Sequence, residues 1–380
     1  MLQAFFADVA VMIVLTGALV GVAGSLVGTF LILRRNAMLS DAISHSIVFG
    51  IVVVWLLTHQ QSGPVQILGA ALAGLLTVFL TELLVTSRKV KNDAAIGLVF
   101  PALFAAGVLL LNLYARDVHI DTHTVLLGEI GFVWLKTMEV FGLRIPQAVV
   151  WMSLVTLING LFVWLCFKEL KLATFDPLLA RALGFAPTLL FYALLGLTSI
   201  TAVAAFEAVG AILFIAFVII PPAAAYLLTD RLAWMIAIAA LIAIASSLLG
   251  YLLAVRLDVS IGGMMAVMTG LFLALAFLFG PRYGLLAQTW RAWRQRYADE
   301  VRALVVHLHD HERTAARADE NVVSALQHHL GWTPARAAAV LSRARTEGLV
   351  LKEGPALHLT AKGRQAARDL LEPWRRYEAA

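Results

Sequence analysis

The chain has 380 residues and a formal net charge of +5, and 61% of its residues are hydrophobic while only 14% are charged. Soluble domains have roughly 45–50% apolar and 25% charged residues, so this composition excludes an ordinary soluble protein. We interpret the chain as an integral membrane protein.

Long apolar stretches recur along the chain, each close to or above the ~20 residues that cross a hydrocarbon core. They are too long and too uniformly apolar for the ~10-residue alternating strands of an outer-membrane barrel. No basic residue precedes the first stretch, so we expect a retained helix and not a cleaved signal peptide. The sequence predicts an all-α polytopic protein with about eight or nine transmembrane helices, at 9–33, 38–57, 64–86, 94–114, 146–166, 187–205, 208–228, 233–255 and 261–279.

The distribution of Lys and Arg predicts the orientation, because cytoplasmic loops are enriched in these residues. Most of them follow the odd-numbered stretches, as Arg34, Arg35, Arg88, Lys89, Lys168, Lys171, Arg181 and Arg231 do. The opposite loops carry only Arg116, Lys136, Arg144 and Arg256. We therefore expect the N-terminus outside and the C-terminus in the cytoplasm.

Asp41 and His45 are two ionisable residues in the second apolar stretch. Such a residue costs at least ~2.5 kcal/mol at the membrane centre, so it normally faces a partner, a cavity or a pathway. At positions i and i+4 the two share a helix face, where a carboxylate and an imidazole can bind a divalent transition metal. The alternative is an Asp–His hydrogen bond that joins two helices, helped by Ser44 and Ser46. Two ligands are half a metal site, so we expect other helices to bring the rest.

Weaker metal-ligand candidates lie towards the outer side. Glu207 is near the outer end of the seventh stretch, where an interfacial carboxylate is the alternative interpretation. One outer loop holds four possible ligands within eleven residues, although a solvated loop also tolerates such residues: His119, Asp121, His123 and Glu129.

The cytoplasmic loop "KELKLATFDPLLARALGFAP" predicts a short helix. Asp176 can cap it, Pro177 suits its first position and Gly184 suits its end. Such a helix is either a docking surface for a soluble partner or a mere connector.

Because no GxxxxGK[ST], HExxH, CxxC or GxSxG motif occurs, we do not expect an enzyme, and the energy for transport must come from a partner or an ion gradient.

The composition changes near residue 281, which divides the predicted permease region 1–281 from an amphipathic connector at 282–297 and a soluble region at 298–380. The soluble region predicts helices at about 298–316, 320–330 and 334–347, strands at 349–352 and 356–359, and a helix from 361. This order is the outline of a small winged helix-turn-helix domain.

Two groups of residues in this region are functional candidates. His307 and His311 have a chelating i, i+4 spacing, but histidines on a solvated helix are more often polar surface. A DNA-binding face is possible for Arg336, Arg343 and Arg345. The region has 12 Lys and Arg against 11 Asp and Glu, a net charge of +1, whereas DNA-binding modules usually show a clear basic excess.

Four stretches resemble the membrane permease subunits of bacterial ABC importers for manganese, zinc and iron: "LILRRNAMLSDAISHSIVFGI", "VLLGEI", "LATFDPLLARALGFAP" and "FEAVGAILFIAFVIIPPAAAYLLTDRL". The resemblance covers roughly residues 5–280. It implies a permease dimer in the inner membrane, docked on two cytoplasmic ATP-binding subunits and supplied by an extracytoplasmic metal-binding protein. The divalent cation is then a substrate, and no permanently bound cofactor is implied.

The resemblance also implies roles for individual residues. Asp41 and His45 match the family's Asp-xxx-His in the second helix, which contacts the cation in transit. Gly128 and Glu129 match its outer Gly-Glu pair. The coupling helix that fits a groove of the ATPase is matched by Phe175, Asp176, Pro177, Ala180, Arg181 and Gly184.

The tail "TPARAAAVLSRARTEGLVLKEGPALHLTAKGRQAARDLL" resembles the winged helix of the manganese- and iron-dependent repressors related to the diphtheria toxin repressor. The printed residues do not match the metal-binding and dimerisation segment of those repressors, so we do not expect metal-controlled DNA binding. Three interpretations stay open: a domain that binds the ATPase or a second permease tail and senses cytosolic metal, a fold remnant without a ligand, and a DNA-binding module. We do not expect DNA binding.

Together these observations predict an inner-membrane permease that passes manganese, zinc or iron inward by alternating access, driven by ATP hydrolysis on partner subunits. A membrane-tethered winged-helix regulator is the alternative from another class. A permease for an organic metal chelate is a second alternative.

Overall fold

A computed structural model describes residues 8–59, 64–114, 130–140, 142–281, 283–312, 314 and 317–378. The chain divides into two compact units, Met1–Gly284 and Leu285–Ala380. Each unit has its own buried hydrophobic cluster.

The first unit is a bundle of helices with one short hairpin. Within the described residues, eight helices are long and apolar enough to cross a membrane, as the sequence predicts. These are α1 (Val9–Leu33), α2 (Met38–Thr58), α3 (Pro64–Thr86), α4 (Asn92–Tyr114), α5 (Gln147–Leu165), α8 (Pro187–Leu228), α9 (Leu232–Leu257) and α10 (Ile261–Phe279). Between them lie a 3-10 turn at Ile130–Phe132, antiparallel strands β1 (Thr137–Val140) and β2 (Leu143–Pro146), and helices α6 (Phe167–Phe175) and α7 (Pro177–Ala182).

The 42-residue helix α8 is two segments that reverse at Gly210. Gly210 has φ 79° and ψ 168°, a conformation that glycine adopts without the steric cost of a side chain. The rings of Phe206 and Phe214 have centroids 5.7 Å apart, although eight residues of straight helix would separate them by about 12 Å. The two predicted stretches at 187–205 and 208–228 therefore correspond to the two arms of this one element.

Both ends of α8 lie at the same end of α1. Phe191, in its first arm, contacts Arg34, which directly follows α1. Ala225, in its second arm, belongs to a buried cluster that includes Ile32 and Leu33. In a straight helix residues 191 and 225 would be about 50 Å apart, so the arms are antiparallel.

Helix α1 packs closely against both neighbours because of its glycines. A Cβ atom at Gly21 would lie 2.8 Å from the Cβ of Ala243 in α9. A Cβ atom at Gly28 would overlap the carbonyl oxygen of Val218 in α8. Small residues at helix interfaces let backbones approach in this way, so these glycines hold the first unit together.

The second unit consists of helices around a two-stranded ribbon. Its elements are α11 (Leu285–His311), α12 (Arg317–Glu320), α13 (Ala325–His329), α14 (Pro334–Thr346), β3 (Val350–Glu353), β4 (Ala356–Leu359) and α15 (Ala361–Glu378). The strands pair antiparallel, with Val350 opposite Leu359. Buried side chains of the helices and the ribbon form one core, which includes Leu304, Leu308, Leu326, Val340 and Leu357.

Two element boundaries in this unit differ from the sequence prediction. A single helix, Leu285–His311, contains most of the predicted connector at 282–297 and the helix predicted at 298–316 as far as His311, because no glycine or proline interrupts residues 285–311. The helix predicted at 320–330 is shorter, Ala325–His329, and a separate short helix, Arg317–Glu320, precedes it; between the two, the backbone carbonyl of Asn321 accepts a hydrogen bond from the ribbon.

Candidate functional site

Asp41 and His45 lie in contact on one face of α2. The Oδ1 atom of Asp41 is 3.4 Å from Nε2 of His45, and the two side chains are 26% and 33% exposed. The contact lies within one helix, so it does not join two helices. The hydroxyls of Ser44 and Ser46 donate to carbonyl oxygens of α2 itself and take no part in the pair.

Aromatic side chains of α4 contact the imidazole of His45. The ring of Phe100 stacks on it with centroids 5.6 Å apart, and the ring of Phe104 approaches edge-on at 6.2 Å. Pro101 lies between these phenylalanines inside α4, where it removes a backbone hydrogen bond. Aromatic faces attract cations, so the phenylalanine rings of α4 provide a surface beside the Asp41–His45 pair that a cation can approach.

Within the part of the chain that the structure describes, no group of three metal-ligating side chains includes this pair. There, three or more metal-ligating side chains come together only in the second unit, at His307, His311 and Glu320. Helix α4 reaches His45 with phenylalanine, which has no ligand atom. The predicted ligands His123 and Glu129 lie outside the described residues, as does Gly128.

Glu207 lies in the first arm of α8, close to the reversal at Gly210. Its Oε1 atom is 3.2 Å from Nζ of Lys136, which precedes β1. Both side chains are largely exposed, and an exposed ion pair contributes only about 0–1 kcal/mol. A cation at Glu207 would have to displace this lysine.

The short helix α7 forms where the sequence predicts it. The Oδ1 atom of Asp176 accepts a 2.9 Å hydrogen bond from the amide of Leu179, and Pro177 occupies the first turn. Gly184 ends the turn with φ 85°, and the amide of Phe185 donates to the carbonyl of Ala180. The caps satisfy backbone groups at both ends of this six-residue helix and so stabilise it.

This segment exposes apolar side chains on one side and is anchored on the other. Ala180 is fully buried, and Arg181 donates to Thr188 at 3.5 Å. The exposed apolar side chains, which we call the coupling surface, are Phe175, Leu178, Leu179 and Leu183. A contiguous exposed apolar patch is typical of an interaction site.

Arg34 ties α1 to the elements on either side of α7. Its Nη2 atom donates a 2.6 Å hydrogen bond to the carbonyl of Ala173 in α6, and its guanidinium lies 4.6 Å from the ring centroid of Phe191 in α8. In the sequence, Arg34 is recognisable only as a marker of orientation. No local pattern identifies its partners, since they are 139 and 157 residues further along the chain.

In the second unit His307 and His311 lie together, with ring centroids 4.8 Å apart. Burial lowers the pKa of His307 below its ordinary value, which favours a neutral imidazole. A carboxylate oxygen of Glu320 lies within 4.8 Å of a ring nitrogen of each of these histidines. Nε2 of His329 is 3.1 Å from Oε2 of Glu320. No pattern in the sequence gives Glu320 or His329 a role.

Two of the three arginines of the possible DNA-binding face are engaged within the unit. Arg336 pairs with Glu300, and Arg343 pairs with Glu347 at 3.0 Å. Arg345 is exposed. Each paired arginine has a carboxylate where a phosphate would bind.

Residues 7–280 match the family model of the ABC 3 transport family. The chain belongs to this family. It is 45% identical over 360 residues to the zinc transport system membrane protein TroD of Treponema pallidum (strain Nichols), covering 95% of this chain and 98% of TroD. It is 49% identical over 280 residues to the manganese transport system membrane protein MntD of Bacillus subtilis (strain 168), covering 73% of this chain and 95% of MntD.

A solved structure supports the same assignment for this ABC 3 family member. The structure described as PsaBC from Streptococcus pneumoniae in complex with Fab has a TM-score of 0.61 and 27% sequence identity, and the match covers 73% of this chain and 94% of that chain. The alignment with MntD spans nearly all of MntD yet leaves about a quarter of this chain unmatched. The alignment with TroD extends into the second unit. This family member is therefore a multi-pass membrane protein with an additional C-terminal unit that TroD shares.

Proposed function

We propose that this chain is the permease subunit of an ATP-driven importer that moves a divalent transition metal through the membrane. The single observation that carries the proposal is the Asp41–His45 pair, partly exposed on α2 of a bundle that belongs to the ABC 3 transport family. The relatives TroD and MntD are named for zinc and manganese transport, which supports a metal ion of this class as the substrate.

The chemistry of the pair suits a transient contact. A carboxylate and an imidazole bind manganese, iron or zinc, and two protein ligands leave most coordination positions to water. A cation that keeps part of its water shell is released more easily than one held by a full protein ligand set. Asp41 and His45 therefore guide the ion in transit, and Phe100 and Phe104 line its path without adding ligands.

The coupling surface is our candidate for the contact with a cytoplasmic ATP-binding subunit. Its four apolar side chains are exposed, while the buried Ala180 and the caps at Asp176 and Gly184 hold α7 in place. In this proposal nucleotide-driven closure of the ATPase moves α7, and the bundle alternates between outward and inward access. A second permease copy or paralogue and an extracytoplasmic metal-binding protein complete the importer.

The orientation follows from the same arrangement. In this proposal each antiparallel arm of α8 crosses the membrane, so the described helices make nine crossings and the two termini lie on opposite sides of the membrane. The excess of Lys and Arg on the side of α7 makes that side cytoplasmic. The N-terminus is then outside, and the second unit lies in the cytoplasm of a bacterial cell.

The second unit is, in this proposal, a winged-helix module that binds protein or metal and not DNA. The order of α11 to α14, the β3–β4 ribbon and α15 supports the winged-helix assignment. The ion pairs of Arg336 and Arg343 and the near-neutral charge of the region argue against a phosphate-binding face.

Uptake measurements test the proposal. Asp41→Asn and His45→Ala are made in a strain without other uptake systems, with the partner subunits co-expressed, and accumulation of manganese, zinc and iron is measured. We expect a loss on the order of tenfold or more, about 1.4 kcal/mol, with unchanged co-purification of the ATPase. Ser44→Ala is the matched control, since its hydroxyl bonds only to its own helix. Wild-type uptake by both pathway variants would refute the role of this pair.

A further inference from the structure

Three metal-ligating side chains of the second unit converge although they come from separate elements. His307 and His311 lie one turn apart near the end of α11, and Glu320 ends α12. Their ligand atoms all lie within 4.8 Å of one another, and all three residues are partly buried. Two ligands of one zinc ion, each at about 2.0–2.2 Å, are at most about 4.4 Å apart, so side-chain rotations that move these atoms by less than about 1 Å would let one ion contact all three.

A fourth ligand lies beside these three. The Nε2 atom of His329, at the end of α13, is 3.1 Å from Oε2 of Glu320. Its ring centroid is 6.0 Å from that of His307. The four residues, which we call the His–Glu cluster, are His307, His311, Glu320 and His329.

The carboxylate of Glu320 points independently to a cation as the ligand of this cluster. Its Oε2 atom is buried and, among the described residues, receives no hydrogen bond of acceptable geometry, even though His329 is close. A buried carboxylate oxygen without a donor is costly. A metal ion between this oxygen and the imidazoles would remove that cost.

Asn321 holds the cluster in place. It is 4% exposed, and its Nδ2 atom donates to the carbonyl of Leu308, the residue after His307. Its own carbonyl accepts a 2.8 Å hydrogen bond from the amide of Leu357 in β4. The segment that carries Glu320 is thus fixed to α11 and to the ribbon, which is the supporting structure that metal ligands require.

We propose that the His–Glu cluster binds one divalent transition metal ion, with His307, His311 and Glu320 as ligands and His329 as the fourth. Three imidazoles and one carboxylate form a four-coordinate set suited to zinc, and a larger ion such as manganese would add water. The site is distinct from the Asp41–His45 pair, because its four residues belong to the second compact unit, Leu285–Ala380.

Cobalt and zinc binding by the purified full-length chain tests this site. Tetrahedral Co²⁺ absorbs strongly in the visible range, and Zn²⁺ displaces it, so a titration reports both geometry and stoichiometry. We expect the wild-type chain to develop this absorption and to retain Zn²⁺ after gel filtration. The His307→Ala/His311→Ala double variant is expected to lose the absorption and to retain one fewer Zn²⁺ per chain.

Matched variants distinguish metal binding at this cluster from metal binding elsewhere on the chain. His309→Ala lies on the same helix, two residues from His307 and therefore on another face, and we expect it to keep the absorption. Asp41→Asn/His45→Ala is also expected to keep it, so failure of the transport proposal leaves this test intact. Glu320→Gln preserves side-chain volume, and we expect it to weaken binding at least tenfold while the chain stays monodisperse. Wild-type stoichiometry and absorption in the double variant and in Glu320→Gln would overturn the proposal.

Discussion

Arg34 donates a 2.6 Å hydrogen bond from Nη2 to the carbonyl oxygen of Ala173. Arg34 follows α1 directly, and Ala173 lies in α6, just before the segment that carries the coupling surface. The same guanidinium covers the ring of Phe191 at the start of α8. One cationic side chain therefore joins three elements at the end of the bundle where α7 lies.

The substitution Arg34→Lys tests whether this contact transmits movement from α7 to α1. Lysine keeps the positive charge that favours the cytoplasmic side. Its ammonium group is not planar, however, so it cannot replace a guanidinium that donates to a carbonyl oxygen and lies over an aromatic ring at the same time. We expect the ATPase to stay bound and uptake per ATP hydrolysed to fall several-fold. Both quantities are measured in proteoliposomes containing the assembled importer.

Arg35→Lys is the control for this experiment, because Arg35 is the neighbouring exposed arginine and the charge is again kept. If the amount of metal taken up per ATP hydrolysed is the same in the two variants, the Arg34 contact only stabilises the fold.

A substitution in the coupling surface should weaken binding of the ATPase without changing the stability of the permease. Leu178 is the most exposed of its side chains, at 76%. In Leu178→Glu a charge would have to be desolvated in the interface, so we expect ATPase affinity to fall by about 1–2 kcal/mol, roughly 5–30-fold. The melting temperature of the isolated permease should stay unchanged, because the side chain is exposed. Co-purification measures the affinity, and Leu178→Met, which stays apolar, should behave as wild type. If Leu178→Glu assembles normally, α7 is not the docking element.

Gly210→Ala tests the reversal of α8. A side chain at φ 79° and ψ 168°, a region that is essentially restricted to glycine, costs about 1–3 kcal/mol, so we expect a lower melting temperature of the detergent-solubilised chain. Gly196→Ala is the control in the same element. Its added Cβ would meet nothing closer than Leu75 Cδ2 at 3.9 Å, and alanine favours helix, so this change should be neutral or stabilising. The same response in both variants would mean that the backbone at Gly210 is not the cause.

Local patterns predict much of the fold and only part of the site. Apolar stretches locate the helices, because length and hydropathy are local properties, and the i, i+4 rule places Asp41 beside His45. The walls formed by Phe100 and Phe104 are not predictable in this way. Those residues have the composition of any lipid-facing helix, and only the packing of α4 on α2 brings them to His45.

The His–Glu cluster illustrates the same limit over a shorter distance. The i, i+4 spacing identifies His307 and His311 as possible chelators, but a solvated helix is the equally simple interpretation of that spacing. Glu320 and His329 join them only because the chain leaves helical conformation between Glu320 and Ala325, where Asn321 makes hydrogen bonds to Leu308 and Leu357. No periodicity in the sequence encodes that break.

Removing the second unit tests whether translocation depends on it. The alignment with MntD covers 95% of MntD but only 73% of this chain, and the first unit has a buried hydrophobic cluster of its own, so it does not depend on the core of the second unit. We expect a chain ending at Gly284 to insert, to bind its ATPase and to take up metal at a rate within about twofold of wild type. Uptake and co-purification are measured as for the pathway variants. The His307→Ala/His311→Ala full-length chain is the matched comparison, since it retains the unit and loses only the proposed cytoplasmic metal ligands. If the truncated chain assembles but does not transport while the double variant does, the unit takes part in translocation through its fold and not through a bound metal.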